Sequence, residues 1–211
     1  MAEAVWRSEL EGWRLDWFRL EATGDGRAAA ALVARRRRVA AALRDRWRPA
    51  DLAEDPFVAA IRRLFRAAGC DPTRHRPSSE ALLRRVLKGE ELAPIHPLVD
   101  LNNALSVELM APACVLRAGS FDFPVTLRSG RVGETLDSMR GPYGLAGKPL
   151  LADGAGPFGT PITDSHRVKV LSETAAAWLV VYRPAELVAP AEAGATLDDL
   201  LAEAPVARRV G

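Results

Sequence analysis

Two polar stretches in the second half of the chain carry the side chains best suited to binding a small molecule. Asn102 and Asn103 stand at the start of an apolar-periodic segment that Pro112 ends. Further on, residues 153–167 form a glycine- and proline-rich run that closes with Asp164-Ser-His-Arg167. Amide groups at a helix start that face a flexible, polar loop predict a small-molecule pocket.

The predicted pocket is polar and holds no obvious nucleophile. Its candidate members are the side chains of Asn102, Asn103, Glu108, Arg128, Glu134, Asp164, Ser165, His166, Arg167 and Thr174. Each has a structural alternative that stays open: the asparagines can cap a helix, Glu134 can close a turn, and Asp164 can bond its own loop. Asn103 and the 164–167 group are the preferred functional candidates.

Several familiar chemistries do not fit the sequence. His75, His96 and His166 lie far apart without the spacing of metal ligands, so we predict no metal site. The run 154–159 matches G-x-G-x-x-G but leads into a proline and not a helix, which argues against a dinucleotide cofactor. A pair of Cys114 with His166 is conceivable, although a buried, inert cysteine is the better interpretation. We therefore predict no cofactor.

The first third of the chain is interpreted as a helical layer. The spacing of Trp6, Trp13 and Trp17 predicts an amphipathic helix over residues 4–21. Further helices are predicted over residues 27–48, 56–68 and 79–87, where apolar positions recur at helical spacing and glycines follow the last two.

Basic side chains are concentrated in these helices. Residues 1–94 hold 19 of the 29 Lys and Arg residues but 14 of the 27 acidic ones. Such a region is compatible with a polyanionic partner. The candidate phosphate-binding side chains are Arg35, Arg36, Arg37, Arg38, Arg62 and Arg63. The alternative is a solvated face whose arginines pair with neighbouring acids.

The second half of the chain mixes a short helix with strands. Residues 104–110 are predicted to form a helix capped by Asp100, Asn102 or Asn103. Short strands are predicted at 115–117, 123–128, 131–135 and 149–152, and core strands at 168–171 and 178–182. The tail is expected to hold a short helix at 197–202 and to fray from residue 207.

Size and composition indicate an ordinary globular protein. The 211 residues, 48% of them hydrophobic, can bury a core, and no apolar run reaches the length of a membrane span. The first residues lack the pattern of a signal peptide, and two cysteines make no disulfide framework. We therefore expect a cytoplasmic protein that does not enter a membrane.

An ordered set of residues resembles a known family. Its pieces are Asp100-Leu-Asn-Asn103, Pro112, Leu127-Arg128 with Gly133-Glu134, and residues 164–174. Together they resemble the B3/B4 domain of the phenylalanyl-tRNA synthetase beta subunit, in particular its free-standing relatives, which lack the catalytic and tRNA-anchoring parts. The resemblance covers about residues 70–184. One departure is clear: Cys114 stands where the synthetase version has a histidine.

The resemblance implies an α+β fold with a mixed or antiparallel sheet core, preceded here by the helical layer. The implied division is a helical region over 1–94, the B3/B4-like domain over 95–190, and a short tail over 191–211. In the synthetase, the pocket of this domain hydrolyses tyrosine wrongly esterified to the phenylalanine tRNA. A positioned water molecule cleaves the ester, and pocket groups supply orientation and electrostatic stabilisation.

By the same resemblance, the expected activity is hydrolysis of a mischarged aminoacyl-tRNA supplied in trans. The expected catalytic residues are Asn103, Asp164 and Ser165. The expected substrate-binding residues are Asn102, Arg128, Glu134, Cys114, Gly159, His166, Arg167 and Thr174. The expected partners are tRNA and an amino-acid-like ligand. Two alternatives stay open, a module that binds a small metabolite without turnover and an RNA-binding domain with an inactive pocket.

Overall fold

The computed structural model describes residues 4–24, 26–187 and 192–210. The last three residues of the predicted B3/B4-like domain, 188–190, lie outside this range. Five α-helices are α1 (Gly26–Arg46), α2 (Pro56–Ala67), α3 (Ser78–Leu87), α4 (Pro97–Leu109) and α5 (Ala193–Glu203). The strands are β1 (Trp6–Ser8), β2 (Trp13–Ala22), β3 (Ala113–Arg117), β4 (Val125–Ser129), β5 (Thr135–Ser138), β6 (Gly141–Gly144), β7 (Pro149–Asp153), β8 (Gly156–Gly159), β9 (Ala176–Pro184) and β10 (Ala207–Arg209).

The described strands form two four-stranded sheets and one hairpin. One sheet has the order β10-β2-β9-β3 and is antiparallel throughout. The other has the order β1-β4-β7-β8 and contains one parallel pair, β1 with β4. The strands β5 and β6 form the hairpin. The fold is therefore α+β with mixed and antiparallel sheets, as the sequence predicts.

Strand β2 lies where the sequence predicts a helix, so the prediction for residues 4–21 is wrong. The strand pairs with β9 from Trp13 opposite Pro184 to Glu21 opposite Ala176. Helices α4 and α5 pack on this sheet, and α2 packs on β9. Apolar and polar residues alternate over Trp13–Trp17, but the buried apolar positions then shift to Phe18 and Leu20 on the other face of the strand. The resulting spacing of three and four residues also fits a helix.

The C-terminal segment is ordered where fraying is predicted. Residues Ala207–Arg209 pair with Leu20–Ala22, and Val210 N donates to Arg19 O at 3.0 Å. The fraying prediction is therefore wrong for residues 207–210, and residue 211 lies outside the described part of the chain. The predicted helix at 197–202 is confirmed within α5. The division at residues 94 and 190 stays a prediction, and hydrogen-bonded ladders cross both boundaries.

Helix α4 begins earlier than the sequence predicts. The ring nitrogen Nδ1 of His96 accepts a hydrogen bond from Leu98 N at 3.2 Å and caps the helix, and Pro97 stands at its first position. A proline at that position needs no hydrogen-bond donor. Asp100, Asn102 and Asn103 therefore lie inside the helix, and the prediction that one of them caps it is wrong.

The helices α1, α2 and α3 match three predicted segments to within a few residues, whereas the first part of the predicted helical layer contains the strands β1 and β2. Asp55 caps α2 by accepting hydrogen bonds from Phe57 N and Val58 N. Two predicted strands are wrong. Residues 168–171 follow a short 3-10 turn at His166–Val168 and join no sheet, and of residues 131–135 only Thr135 belongs to a strand. No helix in the described part of the chain combines the length and apolar character that crossing a membrane requires.

Candidate functional site

Three buried polar side chains meet between β3, β9 and the loop after β8. Cys114 lies on β3 opposite Val180 of β9, and Tyr182 follows two residues later on the same face of the sheet. The Sγ atom of Cys114 lies 3.3 Å from Thr160 O and 3.8 Å from the hydroxyl of Tyr182. We call Cys114, Tyr182 and Asp164, which lies beside them, the buried cluster.

Asp164 is positioned by the turn that precedes it. The hydroxyl of Thr160 donates to Thr163 O at 2.7 Å and accepts from Thr163 N at 2.8 Å, which closes the turn. A β-bridge pairs Gly159 with Asp164. The Oδ1 atom of Asp164 is buried and has no hydrogen-bond partner in the described part of the chain, whereas the rest of the residue is partly exposed. The carboxylate therefore lies just below the surface with one oxygen free.

Burial controls the protonation of this cluster. It raises the pKa of Asp164 to about 7, while the Cys114 thiol and the Thr160 backbone amide act in the opposite direction. Burial also raises the pKa of Cys114 and the pKa of Tyr182 well above their usual values. At neutral pH the thiol and phenol are therefore protonated hydrogen-bond donors, and Asp164 exchanges a proton near the working pH, as a general base requires.

The two asparagines have different environments. Asn102 is buried, and its Nδ2 donates to Ala113 O at 3.2 Å, so it links α4 to the strand that carries Cys114. Its Oδ1 is buried without a partner among the described residues. Asn103 is half-buried, and its amide makes no hydrogen bond within the described part of the chain. Asn103 is therefore free to bind a ligand.

The side chains of Ser165 and Arg167, which follow Asp164, make hydrogen bonds that stabilise their own loop. The Oγ atom of Ser165 accepts a hydrogen bond from Arg167 N at 3.1 Å. Arg167 donates to Asp153 at 3.0 Å and to Gly156 O at 3.2 Å. His166 is exposed. The predicted roles of Ser165 in catalysis and of Arg167 and His166 in substrate binding thus gain no support from these contacts.

Three further candidates have their side chains engaged elsewhere. Arg128 binds Glu134 through two hydrogen bonds of 2.8 and 2.6 Å. These contacts lower the pKa of Glu134 to about 2, which keeps the pair ionised at any working pH. The hydroxyl of Thr174 accepts from Leu171 N at 2.8 Å. The structure does not bring these side chains to the buried cluster by any hydrogen bond.

Most of the candidate phosphate-binding arginines are paired with acids. Arg35 binds Glu108 at 2.8 Å, which also engages the pocket candidate Glu108. Arg36 is buried with Asp100 at 3.0 Å. The remaining pairs join Arg37 to Glu91, Arg38 to Glu203, and Arg62 to Glu80. Arg63 is exposed and has no ion pair among the described residues. These contacts favour the pairing with acids over phosphate binding, but only Arg37 and Arg38 form a solvated face, since Arg35, Arg36 and Arg62 are largely buried.

Sequence reasoning missed Tyr182, a member of the buried cluster, and Thr160, whose turn positions Asp164. Tyr182 was assigned to a core strand, and its hydroxyl was the available signal, because a phenol placed in a fully buried strand needs a polar partner. Thr160 stands before Pro161 in the glycine-rich run, where the sequence indicates a loop but not the hydrogen bonds of this side chain. No group of three or more His, Cys, Asp or Glu in the described ranges is arranged to hold a metal ion.

One family model and one solved structure are similar to this chain. Residues 60–191 match the model of a family described as the B3/4 domain. A crystal structure of an N-terminal fragment of the phenylalanyl-tRNA synthetase beta subunit from Pyrococcus horikoshii is similar, with 14% identity and a TM-score of 0.43. That similarity covers 53% of this chain and 40% of the fragment. No curated protein matches. Since the family match spans more than half of the sequence, the chain belongs to the B3/4 domain family.

Proposed function

We propose that this B3/4 domain hydrolyses the ester bond of a mischarged aminoacyl-tRNA supplied in trans. The observation that carries the proposal is the Asp164 carboxylate, which has a free buried oxygen and a pKa of about 7. It lies beside Cys114, the residue that stands where the synthetase version of the domain has a histidine. A buried, partnerless carboxylate oxygen is a place to hold a water molecule.

The reaction follows from the protonation of the cluster. Asp164 in its ionised form removes a proton from the held water, and the water oxygen attacks the ester carbonyl carbon. The negative charge that develops on the carbonyl oxygen needs an N–H or O–H donor, and the proposal assigns this role to the unpartnered amide of Asn103. The bond from carbon to the ribose oxygen then breaks, and the proton passes to that oxygen.

The free amide of Asn103 gives the first test. Asn103→Ala should lower deacylation of the preferred mischarged tRNA by about 100-fold, because one hydrogen-bond donor to the developing charge is lost. Purified protein would be assayed on a panel of correctly and incorrectly charged tRNAs. Asn103→Asp, which keeps the shape but removes the donor, should be equally impaired. Full activity in both variants would contradict the assignment of Asn103.

The close approach at Gly159 gives a second test. A Cβ atom at this position would lie 3.1 Å from Asp164 Oδ1. Gly159→Ala should therefore displace the carboxylate and lower deacylation about tenfold, since small displacements of a catalytic group have large effects. Gly154→Ala is the matched control, because a Cβ there meets no atom within 4 Å. Equal activity of the two variants would show that the oxygen facing Gly159 takes no part.

The cysteine at position 114 favours one alternative function. Burial keeps its thiol protonated, so it cannot replace a histidine in proton transfer. A domain that has lost hydrolysis could still bind a free amino acid in the same pocket. Titration calorimetry with individual amino acids would test this alternative. Saturable binding of one amino acid, together with no deacylation of any charged tRNA, would favour it over the hydrolase.

A further inference from the structure

The thiol of Cys114 lies between two oxygen atoms that belong to different parts of the fold. Its Sγ atom is 3.8 Å from the hydroxyl of Tyr182 on β9 and 3.3 Å from the carbonyl oxygen of Thr160 in the loop after β8. We call these three groups, from the phenol through the thiol to the carbonyl, the thiol chain. It links the sheet to the loop that carries Asp164.

The direction of the hydrogen bonds in the thiol chain follows from the donors that each group possesses. A carbonyl oxygen can only accept, and a thiol has one hydrogen to donate. The thiol hydrogen therefore points towards Thr160 O, which is the nearer of the two oxygens. The sulfur atom then accepts the hydrogen of the Tyr182 hydroxyl, for which the described part of the chain offers no other acceptor. The phenol thus orients the thiol towards the loop.

The register of the strands holds the sheet end of the thiol chain. Tyr182 N donates to Pro112 O at 2.9 Å, and Cys114 lies opposite Val180. Because Tyr182 follows Val180 by two residues, the phenol and the thiol project from the same face of neighbouring strands. The Tyr182 ring is fully buried and packs edge-on against Trp13, with ring centroids 6.2 Å apart. Both donors are therefore fixed in place and shielded from solvent.

The loop end of the thiol chain is Thr160, and the same residue closes the turn before Asp164. Its backbone N–H donates to Thr163 O at 3.0 Å, and its hydroxyl donates to the same oxygen at 2.7 Å. The next carbonyl, Pro161 O, accepts from Ser78 N at 2.9 Å, which ties the turn to the start of α3. A change in the position of the Thr160 carbonyl would therefore move the turn that holds the carboxylate.

The thiol also acts on Asp164 itself. Hydrogen bonding by Cys114 favours the ionised carboxylate and so opposes the rise in the pKa of Asp164 that burial causes. The charged side chains that follow in the same loop are directed elsewhere, since Arg167 donates to Asp153 and His166 is exposed. The protonation of Asp164 thus depends on how the single thiol hydrogen is oriented.

We propose that Cys114 and Tyr182 are positioning residues for the reaction at Asp164. The phenol hydrogen fixes the sulfur atom, and the thiol hydrogen is directed to the loop, where it holds Thr160 and supports the ionised carboxylate. Neither side chain touches the substrate or takes a proton from it. This role rests on the proposed function, because Asp164 is the base of that reaction. It gives the buried cysteine a part in holding the base and none in nucleophilic attack.

Three variants separate the parts of the thiol chain. Cys114→Ala removes the thiol, Cys114→Ser keeps a hydrogen-bond donor, and Tyr182→Phe removes only the hydroxyl. Deacylation of the preferred mischarged tRNA would be measured at pH 6 and at pH 8.5. Cys114→Ala should lower it about five- to tenfold at pH 6 but only about twofold at pH 8.5, since less of Asp164 is ionised at the lower pH. Tyr182→Phe should show a smaller loss of the same kind, and Cys114→Ser should restore most of the activity at pH 6.

Carbon-13 NMR of the Asp164 carboxyl group measures its protonation without any catalysis, and Asp164→Asn identifies the signal. The midpoint of the titration should move to higher pH in Cys114→Ala and Tyr182→Phe and stay in place in Cys114→Ser. Cys70→Ala and Tyr143→Phe are matched controls, because they remove a buried thiol and a half-buried phenol outside the thiol chain. Both should leave the midpoint unchanged. Circular dichroism would confirm that each variant is folded.

The NMR and deacylation results decide different questions. Equal midpoints in the wild type, Cys114→Ala and Tyr182→Phe would overturn the role of the thiol chain. Complete loss of deacylation in both Cys114→Ala and Cys114→Ser at each pH would also overturn it, because that result is expected of a nucleophilic thiol. A displaced midpoint in a protein that deacylates no charged tRNA would keep the thiol chain and remove the proposed function. Deacylation that requires Asn103, with a midpoint that no variant moves, would remove only the thiol chain.

Discussion

Asp164→Asn should stabilise the folded chain at pH 8 relative to pH 4, although it removes a side chain of the proposed active site. Burial raises the pKa of Asp164 from its usual value near 4 to about 7. A carboxyl whose folded pKa is raised contributes stability at low pH and loses that contribution as the pH rises towards the folded pKa. Three pKa units correspond to about 4 kcal/mol, and asparagine carries no such penalty.

The measurement is the free energy of unfolding of both proteins in urea between pH 4 and pH 8. The difference between variant and wild type should grow by up to about 4 kcal/mol as the pH rises through this window. Asp153→Asn is a control of opposite sign. Asp153 is buried, yet its hydrogen bond from Arg167 lowers its pKa, so the ionised form is the stable one. A constant difference between Asp164→Asn and wild type would show that the carboxyl titrates normally.

The same variant should lose its activity. Without a group that can accept the proton of the water, deacylation is expected to fall at least about 100-fold. In the wild type, activity should rise with pH through about 7, because only the ionised form of Asp164 acts as a base. A variant that is more stable and less active than the wild type would be the sign of a functional carboxylate, since active-site groups are often kept at the expense of stability.

Asp100→Ala should destabilise the fold by about 3–5 kcal/mol, because it leaves a buried charge without its partner. Arg36 and Asp100 are both enclosed, with 7% and 5% of their surfaces exposed, and lie 3.0 Å apart. Asp100 also accepts hydrogen bonds from Ile95 N at 3.3 and 3.2 Å, which places the chain before α4. Urea denaturation of the variant would measure the loss.

The neighbouring arginine provides the matched control. Arg37 pairs with Glu91 on the surface, where 67% and 60% of the two side chains are exposed. Solvent-exposed pairs contribute little, so Glu91→Ala should cost less than about 1 kcal/mol. The double variant Arg36→Met with Asp100→Leu should recover much of the stability lost in Asp100→Ala, since no charge is then stranded. Equal losses for Asp100→Ala and Glu91→Ala would mean that the inner pair is hydrated.

The run of four arginines shows what charge counting could and could not predict. Composition correctly located a basic region in α1, and the interpretation as an acid-paired face describes it well. The partners could not be read from the sequence, because Glu108 and Glu203 lie 73 and 168 residues away from Arg35. Only the tertiary fold decides whether a guanidinium faces a phosphate or a carboxylate.

Most helices could be predicted because their signals are local, and the fold class could be predicted from the family resemblance. Strand β2 could not, since its buried apolar side chains change face after Trp17, which gives a spacing that also fits a helix. Of the predicted site, Asn103 and Asp164 retain free polar atoms, whereas Arg128 and Arg167 are engaged in ion pairs. Proximity of Tyr182 to Cys114 depends on the register of two strands, which no sequence spacing fixes.

The sheet pairs strands from opposite ends of the chain, so it cannot form until most of the chain has been made. Strand β2 pairs with β9 and with β10, so that Glu21 contacts Arg208 across 187 residues of sequence. Pairings of such long range are slow to form, because a large loop must close before any hydrogen bond rewards it. During synthesis, the tryptophan-rich β2 must remain unpaired until residues 176–184 leave the ribosome.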